Sequence, residues 1–258
     1  MHPIIHIGPV SIYTYTLTGL LGIFFGILVA VYGDPKDKPI RSDIFYCSLY
    51  AMIGGLAGGK ILYIITILRK IVEDPSILKY TLSSGMVFYG GLIGGIVGGY
   101  LYTRQYKVDF FKMADSITLG LPVGHIFGRL GCFAAGCCYG KPYDGIFAVI
   151  YPKESLSAPA GIPLHPVQIY EAVYNVFVFI VLLILKRRSK EGKGLVLWTY
   201  LLLYGIGRFY METLRYDAER GFLWIFSTSQ WISIFSIITG ITGMIFILSK
   251  KRAREESK

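Results

Sequence analysis

The chain has 258 residues, of which 53% are hydrophobic and 16% charged, and its mean hydropathy is +0.54. That composition excludes an ordinary soluble domain and indicates a polytopic membrane protein. A formal net charge of +10 suggests nucleic acid at first sight, but most Lys and Arg sit in short connections between apolar runs, which is a topology signal and argues against nucleic-acid binding.

A helical span needs about 20 apolar residues. Segments 10–32, 44–68, 86–104, 110–135, 167–185, 195–213 and 229–249 qualify. The sequence therefore predicts an all-α fold of seven transmembrane helices, one domain over 1–249, followed by a basic cytoplasmic tail at 250–258. Met1 to Pro9 contains no Lys or Arg, so the first segment reads as a retained span and not as a cleavable signal. The second carries Gly54, Gly55, Gly58 and Gly59, and the third a double ladder of Gly90, Gly94, Gly98 and Gly91, Gly95, Gly99. Small residues at this spacing let backbones approach, so spans two and three are expected to pack together. Cys47 reads as a small core residue. Lys60 either snorkels or faces the interior, and Tyr89, taken alone, is an interfacial anchor.

The fourth segment runs into His125-Ile-Phe-Gly-Arg129-Leu-Gly-Cys132-Phe-Ala-Ala-Gly-Cys137-Cys138-Tyr-Gly140. An arginine at membrane depth costs a few kcal/mol and by default marks a site. His125 lies one turn earlier on the same face. Gly120, Gly124, Gly128, Cys132, Gly136 and Gly140 form a close-packing stripe. Cys132, Cys137 and Cys138 follow C-x4-C-C spacing, which is no familiar zinc pattern. The expectation is therefore no metal, a packing or site role for Cys132, and a disulfide if the site faces an oxidising compartment.

The long connection 136–166 holds Ile146, Phe147, Val149, Ile150 and Tyr151 among Pro, Gly and Tyr, and reads as an ordered cap on the outer surface. His165 and Pro166 open the fifth span, Tyr170 follows, and Glu171 lies a turn inside as a partner for Arg129 or Arg208. In the sixth span Arg208, Glu212 and Arg215 share one stripe; an internal Arg208–Glu212 pair is the plain alternative. Two arginines at one depth suggest an anion held between planar forks. At that depth the abundant mobile anion is a phospholipid head group.

Orientation follows from loop charge. Lys36, Lys38 and Arg41, then Arg104, Lys107 and Lys112, then Lys186 to Lys193, then the tail, outnumber the basic residues of the opposite side more than twofold. This puts the N-terminus outside and the C-terminus in the cytoplasm.

Six stretches in order resemble the prolipoprotein diacylglyceryl transferase family. They are Ile7-Gly8-Pro9-Val10 through Tyr15; Gly85-Met86-Val87-Phe88-Tyr89-Gly90-Gly91-Leu92-Ile93-Gly94; Gly128-Arg129-Leu130-Gly131; His165-Pro166-Val167-Gln168-Ile169-Tyr170-Glu171; Arg208-Phe209 with Glu212 and Arg215; and Ser229-Gln230 with Ser233. The resemblance implies transfer of the diacylglyceryl group of phosphatidylglycerol to the lipobox cysteine of a prolipoprotein signal peptide. Glycerol phosphate would be released and no cofactor used, in the bacterial cytoplasmic (inner) membrane with the site towards the outer leaflet. It implies that Arg129 and Arg208 hold the phosphate and that Tyr15, Glu212 and Gln230 shape the site.

The chain departs from the family pattern where Tyr89 replaces a histidine, and in Cys132-Phe133-Ala134-Ala135-Gly136-Cys137, where the family has Asn-Phe-x-Asn-Gly-Glu. Three accounts follow. The chemistry is kept with His125, His165 or Glu212 as base. Or another lipid or acceptor is used, with Cys132 or Cys137 as nucleophile. Or the protein is a non-catalytic phospholipid- or lipoprotein-binding paralogue. A small-molecule transporter is disfavoured by the odd span count and the lack of an internal repeat.

Overall fold

A computed structural model describes residues 3–7, 10–77, 80–81, 85–189, 194–216 and 221–256. Lys79, Lys190, Lys193, Arg220 and Lys258, which enter the loop-charge argument, lie outside the described residues. The described chain is mostly helical. Its helices are α1 (Thr14–Tyr32), α2 (Arg41–Thr66), α3 (Leu68–Glu73), α4 (Phe88–Tyr106), α5 (Phe110–Thr118), α6 (Gly120–Ala135), α7 (Val167–Arg188), α8 (Leu195–Leu214) and α9 (Thr228–Glu256). Five helical stretches are long and apolar enough to cross a membrane: Thr14–Tyr32, Pro35–Thr66, Phe110–Ala135, Val167–Arg188 and Thr228–Ser249. Their outward faces are apolar: Leu20, Phe24, Ile53, Phe235 and Phe246 are each more than half exposed, which suits lipid and not water.

Three boundaries differ from the sequence reading. Val10–Tyr13 is a strand paired antiparallel with Ile4–Ile7, not the first turns of a span; its β-branched and aromatic alternation favours an extended chain. The fourth span is broken at Leu119. Pro122, which has no N–H to give and whose ring crowds the carbonyl four residues back, accounts for the restart at Gly120. The segment read as a tail continues α9 as far as Glu256.

The chain divides into two compact units, Asp37–Met113 and the remainder, Met1–Lys36 with Ala114–Lys258. In the first, α2 and α4 pack antiparallel through their glycines. A Cβ at Gly58 would meet the Gly90 carbonyl oxygen, and one at Gly94 would meet that of Gly54. Backbones this close leave no room for side chains, which is the reason for the ladder. Lys60 faces the protein: its Nζ donates to the Thr81 and Gly85 carbonyls at 3.0 and 2.9 Å.

In the larger unit, α1 runs antiparallel to α6, with Gly26 against Gly120 and Gly22 against Gly124. The predicted stripe holds only for that half. Gly128 touches nothing, whereas Gly131 meets Thr18 and Tyr15, because a 3.6-residue helix drifts away from a strict four-residue repeat. Leu119, Val178, Leu182, Val196 and Tyr200 form the buried core. At one end of this core Asp115 accepts hydrogen bonds from the Gly194 and Leu197 amides at 2.9 and 3.0 Å. It thereby satisfies donors at the start of α8 that have no partner within the helix. At the other end segment 136–166 is ordered. Strands Val149–Ile150 and Pro163–Leu164 pair, and Tyr151, Ala158 and Leu164 form a small core of their own. Hydrogen bonds from Lys141 N to Leu214 O and from Tyr216 N to Tyr139 O fasten it to the end of α8.

Candidate functional site

Helices α6, α7 and α8 contribute ionic side chains to a single chain of contacts. Arg129 Nε donates to Glu171 Oε2 at 2.7 Å. Arg208 Nη1 donates to Glu171 Oε1 at 3.0 Å, and its Nη2 lies 2.9 Å from Glu212 Oε2. Arg215 reaches the same Glu212 oxygen at 3.9 Å. Side-chain exposures of 19% for Arg129, 11% for Arg208 and 6% for Glu171 place the chain inside the protein. Arg208 Nη2 also donates to Ser229 Oγ at 3.1 Å, which ties α9 to the cluster. Bringing charges out of water is expensive and an ion pair only partly offsets it.

Glu171 therefore partners both arginines, and the Arg208–Glu212 pair coexists with it. Glu171 is itself held by packing and by the residue one turn on: Asn175, 4% exposed, donates from Nδ2 to the Glu171 carbonyl at 2.8 Å. Asn175 did not stand out in the sequence; the available signal was its four-residue offset from Glu171 on an otherwise apolar face.

The other predicted residues are distributed around this core. His125 Nδ1 lies 3.2 Å from the Tyr200 hydroxyl, and its ring is 5.0 Å from that of Tyr204; it packs on α8 and joins no ion pair. His165 stacks on Tyr143 with ring centroids 3.9 Å apart, and its Nδ1 lies 3.3 Å from Tyr170 Oη. Gln230 serves the backbone locally. Its Oε1 accepts from Ser227 N at 3.0 Å, while Ser227 Oγ accepts from Gln230 N at 3.2 Å. This reciprocal cap starts α9 and so sets the position of Ser229. Tyr15 lines an apolar cleft of about 390 Å³ together with Tyr13, Thr16, Ala135, Cys137 and Leu156. Cys132 is 8% exposed, and its sulfur groups with those of Cys137 and Cys138, all within 4.8 Å of one another. Tyr89 belongs to the other compact unit, at the start of α4, and is 40% exposed.

Sequence reasoning passed over Gln168 as more than a motif letter. It is fully buried. Its Nε2 donates to the Cys137 carbonyl at 2.6 Å, and its Oε1 accepts from Tyr151 Oη at 3.1 Å. It joins the start of α7 to the beginning and the middle of the cap.

The sequence matches prolipoprotein diacylglyceryl transferase as a family over residues 2–246. It is 37% identical over 247 residues to phosphatidylglycerol–prolipoprotein diacylglyceryl transferase 2 of Clostridium perfringens, covering 96% of this chain and 94% of that one. It is 38% identical over 246 residues to the phosphatidylglycerol–prolipoprotein diacylglyceryl transferase of Clostridium tetani, covering 95% and 96%. The enzyme of that name from Clostridioides difficile is 30% identical over 243 residues, with 94% of each chain covered. On a match that runs through nearly the whole chain, the protein belongs to the prolipoprotein diacylglyceryl transferase family.

Proposed function

We propose that this protein transfers the diacylglyceryl group of phosphatidylglycerol to the lipobox cysteine thiol of prolipoproteins and releases glycerol phosphate. The observation that carries the reading is the Arg129–Glu171–Arg208 bridge within a family whose relatives bear that activity in their names. Glu171 occupies Arg129 Nε, so the two Nη groups of Arg129 are donors for an anionic head group.

The thiolate attacks a glyceryl carbon, the C–S bond forms, and the C–O bond to phosphate breaks with its electron pair leaving on oxygen. Arg129 and Arg208 stabilise the charge that develops there and orient the lipid for attack. The cleft beside Tyr15 is apolar and open to an acyl chain or a signal-peptide side chain. His165 and Tyr170 contact each other at the cap, and Gln230 supports Arg208 through Ser229. The thiol proton goes to one of His125, His165 and Glu212. Seven spans, an outside N-terminus, a cytoplasmic C-terminus and a site facing the outer leaflet of the bacterial cytoplasmic membrane complete the reading, supported by the loop-charge bias.

Tyr89 and Cys132, where the family pattern has other residues, favour a second reading: a paralogue with another lipid or acceptor, or one that binds phospholipid or lipoprotein without turnover. Purified protein, phosphatidylglycerol and a lipobox peptide separate the two. Glycerol phosphate release with a matching diacylglyceryl mass gain on the peptide establishes the transferase. No release from folded, lipid-binding protein establishes the second reading. Arg129→Ala and Arg208→Ala should each abolish turnover; activity retained in either refutes the phosphate clamp.

A further inference from the structure

Three of the four cysteines meet where α6 ends. The helix stops because Gly136 adopts a left-handed conformation at φ 69°, and Cys138 does the same at φ 59°. Two left-handed residues in three reverse the chain, so Cys137 and Cys138 fold back over the last turn to reach Cys132. The Cys137 amide closes the turn by donating to the Cys132 carbonyl at 3.1 Å. The Cys137 carbonyl is fixed from the far side by buried Gln168, and the Leu156 and Ala158 amides bind the Ala135 and Gly136 carbonyls at 2.9 Å each. The backbone under the three thiols is thus held from α7 and from the cap. A non-glycine residue in the left-handed region is strained by about 1 kcal/mol or more and persists where its surroundings enforce it.

All three thiols are free, and their sulfurs lie within 4.8 Å of one another. Zinc–sulfur bonds of about 2.3 Å place tetrahedral sulfur ligands roughly 3.8 Å apart, so closing the triad on an ion needs side-chain movement of an ångström or less. Cys137 also lines the cleft beside Tyr15, which gives an ion a way in. We propose that Cys132, Cys137 and Cys138 form a binding site for a thiophilic divalent cation, zinc in the first instance, with a fourth position open to water or another thiol.

Binding converts three thiols to thiolates and releases their protons, leaving one net negative charge on the ion and its ligands. The guanidinium groups of Arg215 and Arg129 act electrostatically on the Cys138 sulfur. The same guanidinium groups offset the charge of the loaded site. The spacing hid this site because two of its ligands are adjacent in sequence, and only the double left-handed reversal brings them back to the third. Its test measures metal and not turnover.

The full chain would be purified with a thiol-free reductant, given a slight excess of zinc, dialysed and assayed for metal. Alkylation of its cysteines by a maleimide would be followed with and without zinc. The expected result is about one zinc retained per chain, as for other structural thiolate sites, with three thiols protected from alkylation by zinc. Cys132→Ser/Cys137→Ser/Cys138→Ser should retain none, and Cys47→Ala, which alters a buried residue of the other unit, should retain as much as the unaltered chain. Protection of the unaltered chain needs no variant to fold. Equal alkylation with and without zinc, or equal zinc in the unaltered chain and the triple variant, overturns the proposal. So does an intact mass lighter by two hydrogens in protein isolated without reductant and resistant to mild reduction, because the triad would then be a disulfide.

Discussion

Glu171→Gln removes one charge and almost no volume, so it tests the cluster without opening a cavity. In the native protein the Glu171 carboxylate receives Arg129 at 2.7 Å and Arg208 at 3.0 Å. With an amide there, two largely buried guanidinium groups face each other across a neutral group. Removing one partner of a buried ion pair costs about 3–5 kcal/mol. Arg129 keeps some access to the surface, so the lower end applies, about 3 kcal/mol. At roughly 2–4 °C per kcal/mol for a chain of this size, that is a fall in Tm of about 6–12 °C. Thermal unfolding in a neutral detergent would measure it. The same scan with phosphatidylglycerol added should recover more of the loss in the variant than it adds to the unaltered protein, because the anion replaces the missing charge. An unchanged Tm would show that Glu171 does not hold the two arginines together. A loss that phosphatidylglycerol does not lessen would show that the two arginines are not where the lipid binds.

Arg129→Ala and Arg208→Ala should lower glycerol phosphate release by at least about 100-fold, the usual scale for removing one donor to developing charge, in the reconstituted assay. Gln168→Leu leaves the Tyr151 hydroxyl and the Cys137 carbonyl without their buried partner; at about 1–3 kcal/mol per orphaned group it should cost roughly 2–4 kcal/mol in chemical unfolding. Gly94→Ala drives a methyl group into the Gly54 carbonyl of α2 and should destabilise Asp37–Met113 by about 1–3 kcal/mol, read as faster proteolysis within that unit. Burial pushes the His165 imidazole below its ordinary value. The unfolded chain then takes up the proton first, so stability is complete above about pH 6.5 and declines as pH falls below it. His165→Gln should flatten that part of the stability–pH profile.

Composition and hydropathy were enough to indicate a helical membrane protein, because a span is a local property: some twenty apolar residues declare it without reference to the rest of the chain. The glycine ladders were legible for the same reason, and α2 and α4 pack along them. Arg129, Arg208 and Glu171 announced themselves because charge at membrane depth is costly wherever it occurs. The strand Val10–Tyr13 and the break at Leu119 were hidden within apolar runs, since hydropathy does not record backbone conformation. Which groups meet was decided only by the tertiary structure. Glu171 bridges two arginines 42 and 37 residues away, Gln168 fastens the cap rather than lining a site, and Gln230 caps a helix. The three cysteines converge because two left-handed residues turn the chain back on itself. Sequence spacing gives the face of a helix, whereas the partner across the gap depends on how helices cross and where loops reverse, and those are properties of the packed whole.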